Sequence, residues 1–221
     1  MKKIGMLTIG QAPRDDILPG LMDVMGDNYE FVQAGALDEK SLDDVRSIRF
    51  PRDSPILVTR MRDGTEVKVT KKFVIPLMQK RLKELEDRGI RLTVVMCTGR
   101  FPQFTSRSLV VTPREVIRGV LNATLKQGKL GVIYPAEEQV DMAEEEFGSP
   151  EVEIYADWLS PYREGGELKP LVRRLSQESP DLILLNCFGF NSDIKEAIYR
   201  GTGIPPIQSN SLIARVLKEL A

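Results

Sequence analysis

The chain has 221 residues, of which 42% are hydrophobic and 29% charged, and this length can bury a core without disulfides or metal ions. Its 31 Lys and Arg residues nearly balance its 32 Asp and Glu residues, so we expect neither nucleic acid nor a membrane as a partner. It has no His and only two Cys, which excludes a Ser-His-Asp triad, a Cys-His dyad, and zinc sites built from His or several Cys.

The first residues, MKKIGMLTIGQAPRDD, contain an apolar run of only a few residues before Gly10, which is too short for a signal peptide. No apolar run approaches the ~20 residues of a membrane-spanning helix. We therefore expect a cytoplasmic protein with two free thiols, and we disfavour a disulfide between them.

The first half of the sequence alternates short apolar runs with segments in which apolar residues have helical spacing. Strands are predicted over residues 4–9, 30–34, 91–96 and 109–112, and helices over 15–25 and 71–87. Two further runs, 56–59 and 66–70, flank Asp63-Gly64, and Asp-Gly between alternating runs predicts a β-hairpin.

The second half continues the alternation. Strands are predicted over residues 129–134, 151–156, 181–186 and 206–208, and helices over 113–126, 137–147, 168–178, 193–200 and from Ser209 or Asn210 to Leu220. Strands that alternate with helices predict an α/β fold with mostly parallel sheets.

Two segments of the second half resemble segments of the first. KLGVI at 129–133 resembles KIGML at 3–7, and LILLNCFG at 182–189 resembles LTVVMCTG at 92–99. We predict two similar α/β lobes: residues 1–110, to which residues 205–221 return, and residues 111–204. The β-hairpin, near 45–80, is an insertion in the first lobe. The alternative is that any two buried strands look alike.

Both cysteines fall at the carboxyl end of a predicted strand, the edge at which parallel α/β sheets bind ligands. Small or hydroxylated residues follow them and leave backbone N–H groups able to hold an anion or stabilise a thiolate. These residues are Thr98 and Gly99 after Cys97, and Gly189, Asn191 and Ser192 after Cys187.

Two thiols at matching positions favour one reaction type. A thiolate removes a proton from a carbon next to a carboxylate, and a thiol on the opposite face returns one, with no cofactor required. Addition of a thiolate to an activated double bond is an alternative. Each cysteine could also be a small core residue.

These residues resemble the cofactor-independent Asp/Glu racemase superfamily, which includes amino-acid and hydantoin racemases, maleate isomerase and arylmalonate decarboxylase. The resemblance lies in MCTG at 96–99, NCFG at 186–189 and GIPPI at 203–207. It implies two α/β lobes related by a pseudo-dyad, with a catalytic Cys97 in one lobe and a catalytic Cys187 in the other.

The whole chain is more closely similar to the AroM family, through TIGQAPR at 8–14 and CTG at 97–99. The family name implies an association with aromatic biosynthesis genes and brings no settled reaction.

The sequence departs from the amino-acid racemases at three places. Their second Cys is followed by Thr-His, where this chain has Phe188-Gly189; their Asp-Ser pair after the first strand is replaced by Gly10-Gln11; and their Asn-Thr after the first Cys is replaced by Thr98-Gly99. The two thiols are retained without the groups that recognise an α-amino acid. The expected substrate is therefore a small carboxylate-bearing molecule without the amine.

Four other residues are candidates for substrate contact. Arg14 follows the first strand and Arg100 follows Cys97, and a guanidinium fork suits a carboxylate; the alternative is a solvated surface Arg. Thr8 and Gln11 are weaker candidates. Four aromatic residues flank the cysteines and would either wall an apolar site or pack between the lobes: Phe101, Phe104, Phe188 and Phe190.

The sequence thus supports an enzyme with Cys97 and Cys187 as the acid/base pair, isomerising, racemising or decarboxylating a carboxylate substrate without a cofactor or metal. In that case the two sulfur atoms should lie roughly 6–8 Å apart across a cleft. A non-catalytic organic-anion-binding or regulatory module is the alternative, and a redox-sensing thiol pair is a third. The predicted hairpin is expected to be a lid, an oligomer contact or an exposed edge ribbon. A homo-oligomer is therefore one of the expected assembly states.

Overall fold

The computed structural model describes residues 1–50, 55–163 and 167–221. The chain forms two compact units, one of Met1–Arg114 with Ala214–Ala221 and the other of Glu115–Ile213. Each unit contains a four-stranded parallel sheet flanked by helices. The α/β class and the two similar lobes predicted from the sequence are confirmed.

The first unit is built on a sheet of order β2-β1-β5-β6 and a separate antiparallel hairpin, β3-β4. Its strands are β1 Lys2–Thr8, β2 Tyr29–Gly35, β3 Ile56–Arg60, β4 Glu66–Thr70, β5 Leu92–Val95 and β6 Leu109–Val111. Its helices are α1 Leu18–Met25, α2 Leu42–Arg46 and α3 Lys71–Asp87.

The second unit is built on a sheet of order β10-β9-β7-β8. Its strands are β7 Gly128–Tyr134, β8 Val152–Trp158, β9 Leu182–Leu185 and β10 Pro206–Gln208. The helices are α4 Pro113–Thr124, a 3₁₀ helix Glu137–Met142, α5 Ala143–Phe147, α6 Leu168–Glu178, α7 Ser192–Thr202 and α8 Ser209–Leu220, of which α4 begins and α8 ends in the first unit.

The two sheets have the same strand order once the hairpin is set aside. β7, β8, β9 and β10 take the places of β1, β2, β5 and β6. The ladders end in matching hydrogen bonds: Met96 N–H donates to Leu7 O at 2.8 Å, and Asn186 N–H donates to Ile133 O at 2.9 Å. The similar segments of the two halves therefore lie at equivalent positions of a repeated architecture.

The local sequence explains the β3-β4 hairpin. Gly64 in its turn has a φ of +94°, a conformation that L side chains rarely adopt, and Met61 N–H donates to Thr65 O at 2.8 Å across the turn. The Thr70 hydroxyl then accepts a hydrogen bond from Phe73 N–H at 3.3 Å and caps α3. The same short segment thus ends the hairpin and begins the helix.

The hairpin belongs to the hydrophobic core of the first unit. Leu57, Val67 and Val69 are buried in the same cluster as Leu7 and Val95 of the sheet. This packing argues against a lid or an exposed edge ribbon, because detaching the hairpin would expose core residues to water. Residues 51–54, within the predicted insertion, lie outside the described residues.

The structure departs from the prediction at one helix and contains one helix that was not predicted. The helix predicted over 137–147 is a 3₁₀ helix followed by the five-residue α5. Ala136 at its start provides no side-chain cap, and the tighter 3₁₀ bonding is common where a helix begins. The short helix α2 was not predicted, although Ser41 and Asp44 form a capping box at its start.

The C-terminal boundary also differs from the prediction. Residues 205–213 belong to the second unit, and the chain enters the first unit at Ala214 rather than at 205. The physical reason is pairing: β10 extends the second sheet beside β9, and the Ser209 hydroxyl donates to Leu185 O at 2.6 Å.

Every helix in the described ranges is too short or too polar to cross a membrane.

Candidate active site

In the first unit, Cys97 lies just beyond the carboxyl end of β5. Its side chain is half-buried against the core that contains the hairpin. Gly99 N–H donates a hydrogen bond to Cys97 Sγ at 3.4 Å. The chain turns sharply here, so that a backbone dipole two residues downstream points at the sulfur.

In the second unit, Cys187 occupies the equivalent place beyond β9. It is 8% exposed and packs in a core with Leu185 and Phe190. Gly189 N–H donates to Cys187 Sγ, again at 3.4 Å. Each unit therefore presents one sulfur in the same Cys-x-Gly turn, with the same donor and the same distance.

Other parts of the same unit lie close to both glycines. A Cβ atom on Gly99 would lie 3.0 Å from Leu57 Cδ2, a hairpin side chain. A Cβ atom on Gly189 would lie 2.7 Å from Tyr162 Oη and 2.8 Å from Pro161 Cγ. The turn at Cys97 is thus covered by an aliphatic side chain, and the turn at Cys187 by a phenol.

Gln208 at the end of β10 and Asn210 two residues later hold the turn at Cys187 by side-chain hydrogen bonds. Asn210 Nδ2 donates to Phe188 O at 2.9 Å and to Phe190 O at 2.8 Å, and Gln208 Nε2 donates to Phe190 O at 2.8 Å. All of these groups are buried. Gln208 and Asn210 are positioning residues that the sequence analysis did not identify, because no local pattern connects them with a turn some 20 residues away.

Arg14, a predicted substrate anchor, is buried and pairs with a carboxylate of its own chain. Its Nε and Nη2 donate to the two carboxylate oxygens of Asp16 at 2.8 and 2.7 Å, and Nη1 donates to Thr8 Oγ1 at 3.3 Å. Asp16 thus already occupies the guanidinium fork. Thr8, also predicted to contact substrate, accepts a second hydrogen bond from Gly10 N–H at 3.2 Å.

The Asp16 carboxylate is held in its charged form. Burial by itself would raise its pKa, but the hydrogen bonds from Arg14 and the positive charges of Arg14 and Arg60 outweigh burial and lower the pKa. Arg60 Nη1 lies 3.6 Å from Asp16 Oδ2. The hairpin is thereby joined electrostatically to the loop that follows β1.

Gln11 has a similar internal role. Its amide nitrogen donates to Leu37 O at 3.1 Å and Lys40 O at 2.9 Å, and its amide oxygen accepts from Arg62 N–H at 2.8 Å. The side chain connects the loop after β1 with the loop after β2 and with the hairpin turn. These contacts use both amide hydrogens and the oxygen, so Gln11 acts here as a positioning residue.

Arg100 differs from Arg14 in its environment. Arg100 is exposed, and it makes no hydrogen bond or ion pair with any residue in the described part of the chain. Thr98, between Cys97 and Gly99, is half-buried. Asn191 accepts a hydrogen bond from Ile194 N–H at 2.9 Å and caps α7, which places the positive end of the α7 dipole after the Cys187 turn.

Three of the aromatic residues near the cysteines, Phe101, Phe104 and Phe190, pack in the cores of their own units. The rings of Phe101 and Phe104 are 6.1 Å apart and tilted by 33°, and Phe104 belongs to the core around β1 and β5. Phe190 is fully buried in the core of the second unit, and Phe188 is 2% exposed.

Several ionisable groups have a pKa that is shifted further away from neutral pH. Tyr155 has its pKa raised to about 12, by burial and by its hydrogen bond to the negatively charged Asp157. Carboxyl groups with a lowered pKa in the described part of the chain include Asp16, Glu39, Asp44, Asp63, Glu86 and Asp157. None of these groups suits proton transfer near pH 7, which leaves the thiols as the better candidates.

In the described ranges, no three Cys, Asp or Glu side chains cluster as a metal site.

A family model described as "AroM protein" matches residues 4–221. The chain belongs to the AroM family. The family membership predicted from the sequence is thereby confirmed, over almost the whole length of the chain. No curated protein matches the sequence.

Solved structures with similar folds include three different enzymes. Unliganded arylmalonate decarboxylase is 16% identical with a TM-score of 0.60, covering 99% of this chain and 93% of the other. A maleate cis-trans isomerase variant from Nocardia farcinica, with a covalently bound succinylcysteine intermediate, is 12% identical with a TM-score of 0.62, covering 99% and 92%. Glutamate racemase from Aquifex pyrophilus is 16% identical with a TM-score of 0.60, covering 99% and 84%. This AroM chain thus shares the fold of these three enzymes.

Proposed function

We propose that this AroM chain is a cofactor-independent enzyme in which Cys97 and Cys187 transfer protons at a carbon next to a carboxylate. The observation that carries the proposal is the repeated Cys-x-Gly turn, in which each sulfur accepts a backbone N–H at 3.4 Å. A donor aimed at sulfur stabilises the thiolate, the form that acts as a base. One such turn is compatible with an ordinary core cysteine, whereas its repetition in both units favours a paired role.

The chemistry follows from the two protonation states of a thiol. In isomerisation or racemisation, one thiolate takes a proton from the carbon and the other thiol gives its proton to that carbon, so that the two sulfur atoms exchange protonation states. In decarboxylation, carbon dioxide leaves without the bonding electron pair, and a thiol protonates the resulting carbanion. Solvent resets the thiols in both cases.

The proposed substrate class is a small carboxylic acid without an α-amino group. The similar structures belong to enzymes named for aryl malonates, maleate and glutamate, all of which carry carboxylates. Arg100 is the preferred anchor, because its guanidinium is exposed, whereas the fork of Arg14 is occupied by Asp16. Thr98, Gly99, Gly189 and Asn191 remain candidate substrate contacts.

A heavy-water exchange screen tests the proposal. The protein is incubated in D₂O with a panel of mono- and dicarboxylic acids, and NMR follows deuterium entering carbon and loss of carbon dioxide. The matched control is the same protein with both thiols alkylated. We expect at least one acid to exchange or decarboxylate with the free thiols and not after alkylation. Turnover that survives alkylation would contradict the proposal.

A non-catalytic organic-anion-binding module is a second candidate. It is favoured by the internal use of Arg14 and Gln11, two predicted substrate contacts whose polar groups bind their own chain. This candidate predicts saturable binding of a carboxylate in the screen, with no deuterium exchange and no product. It also predicts thiols that titrate near the ordinary value of about 8.5.

A further inference from the structure

Tyr162 lies against the Cys187 turn, in the loop that follows β8. Its hydroxyl oxygen is 4.0 Å from Cys187 Sγ. A Cβ atom added to Gly189 would lie 2.7 Å from that hydroxyl and 2.8 Å from the ring atom Cε1. The phenol therefore contacts both the sulfur and the glycine whose N–H group donates to that sulfur.

The backbone before Tyr162 is attached to the second sheet. Leu159 N–H donates to Tyr134 O at 2.9 Å, and Tyr162 N–H donates to the hydroxyl of Ser160 at 3.2 Å. Leu159 and Ser160 are both about 5% exposed. The phenol is thus carried by an ordered segment, and its place beside the sulfur is determined by the fold.

Cys187 needs donors if it is to ionise. It is 8% exposed and lies in an apolar core, and burial disfavours a charged thiolate. A phenolic O–H is a donor, and hydrogen bonds to charged acceptors are stronger than those between neutral groups.

The turn at Cys97 is covered differently. The side chain nearest to Gly99 there is Leu57, whose methyl group would lie 3.0 Å from an added Cβ atom, and a methyl group donates no hydrogen bond. In addition, Cys187 is followed by the N-terminus of α7, which begins at Ser192, whereas Cys97 is followed by a loop that leads to β6. The side chains that cover the two turns within their own units are therefore chemically different.

We propose that Tyr162 is a positioning residue whose hydroxyl donates to Cys187 Sγ and makes Cys187 the thiolate, and thus the proton acceptor, of the pair. This inference rests on the proposed function and assigns the two sulfur atoms different starting states. Cys97 then begins as the thiol. Tyr162 itself exchanges no proton with the substrate.

Other ionisable groups in the second unit also influence the ionisation of Cys187, and replacing Tyr162 leaves these groups in place. Tyr155 packs against the same core. Its hydroxyl donates a hydrogen bond to Asp157, which also accepts one from Arg174. Asp193 lies in the first turn of α7, and Arg163 follows Tyr162 in the chain.

Thiol alkylation as a function of pH tests the inference without any substrate. Wild-type protein and the Tyr162→Phe variant are treated with iodoacetamide, and mass spectrometry follows Cys97 and Cys187 separately. The rate at high pH reports access to the sulfur, and the midpoint of the profile reports ionisation. Tyr199→Phe, at an exposed tyrosine on α7, is the matched control.

We expect the Cys187 midpoint of the wild-type protein to lie below that of Cys97 and below the ordinary value of about 8.5. Tyr162→Phe should raise the Cys187 midpoint by roughly one pH unit, which is about a tenfold slower alkylation below the midpoint. The Cys97 midpoint, and both midpoints in Tyr199→Phe, should stay unchanged.

An unchanged Cys187 midpoint in Tyr162→Phe overturns the inference. If that variant does not fold, a wild-type Cys187 midpoint at or above that of Cys97 overturns it equally. The two proposals fail separately: turnover without a midpoint shift removes only the role of Tyr162, whereas a shift without turnover on any acid removes the proposed reaction.

Discussion

At the scale of single residues, Asp16 determines what Arg14 can do. The sequence places Arg14 in a loop after a strand, where a guanidinium is a reasonable carboxylate anchor, and nothing in the local pattern shows that its fork is filled from two positions away. Both Asp16 oxygens accept from Arg14 within 2.8 Å. The pair instead supports Thr8 and the hairpin, through Nη1 and through Arg60.

Close backbone approach at Gly10 gives a prediction at this scale. A Cβ atom there would lie 2.3 Å from Thr59 Oγ1 and 2.5 Å from Arg60 O, and the carbonyl cannot move without displacing the hairpin. Gly10→Ala should therefore lower the free energy of unfolding by about 1–3 kcal/mol, as measured by urea denaturation.

Gly119→Ala is the matched control for that substitution. Gly119 is exposed within α4, and an added Cβ atom would meet nothing within 4 Å. Alanine favours a helix over glycine by about 1 kcal/mol, so this variant should be more stable than the wild type. Equal effects of the two substitutions would show that the hairpin does not press on Gly10.

Tyr162 could not have been found from the sequence. It lies in a loop between β8 and α6, 25 positions before Cys187, and its pairing with that sulfur exists only in the folded second unit. The sequence predicts the two cysteines as candidate site residues because strand ends in parallel sheets collect functional groups. Their supporting residues depend on tertiary contacts.

At the scale of elements, local signals predicted most of the architecture. The predicted helix over 71–87 agrees with the structure because Thr70 caps its start. The predicted hairpin agrees with the structure because the Asp63-Gly64 turn connects its two strands. Strand order was not predictable in the same way, because pairing β1 with both β2 and β5 depends on contacts between distant segments.

The joint between α3 and β6 gives a prediction about pH. The Glu86 side chain on α3 is 6% exposed and accepts hydrogen bonds from Ser106, Arg107 and Ser108 at the entry to β6. Burial alone would raise its pKa, but these hydrogen bonds outweigh burial and lower it from 4.5 to about 2. The ionised carboxylate therefore stabilises the fold above about pH 4.5, and this contribution is lost as the pH falls towards 2.

Glu86→Gln should lower the free energy of unfolding at pH 7 by about 1–3 kcal/mol. The difference from wild type should shrink as the pH is lowered from about 5 to 2, because the wild-type carboxyl becomes protonated. Urea denaturation over that pH range measures it, with the exposed Glu145→Gln on α5 as the control. A difference that is independent of pH would show that the charge of Glu86 is not what holds the joint.

At the scale of the whole molecule, the repeated strand order is the main structural result. Each unit has one cysteine just after a central strand, β5 in the first unit and β9 in the second. Each cysteine sulfur accepts a hydrogen bond from the N–H group of the glycine two residues later. The inserted hairpin and the C-terminal segment that fixes the Cys187 turn distinguish the units. Under the proposed function, the two sulfur atoms would act as a pair, each held by different neighbouring residues of its own unit.

The most direct test uses an acid that responds in the heavy-water screen. The rate of its isomerisation or racemisation, the reactions in which both thiols act, is measured with Cys97→Ala, with Cys187→Ala and with the double variant, after each has been shown to unfold at the wild-type denaturant midpoint. Each single variant should lose about 10²–10⁴-fold, the usual contribution of a general acid or base. The double variant should be about as slow as the slower single variant, because residues that act as a unit are not additive. A single variant that keeps the wild-type rate would contradict the paired role of the two cysteines.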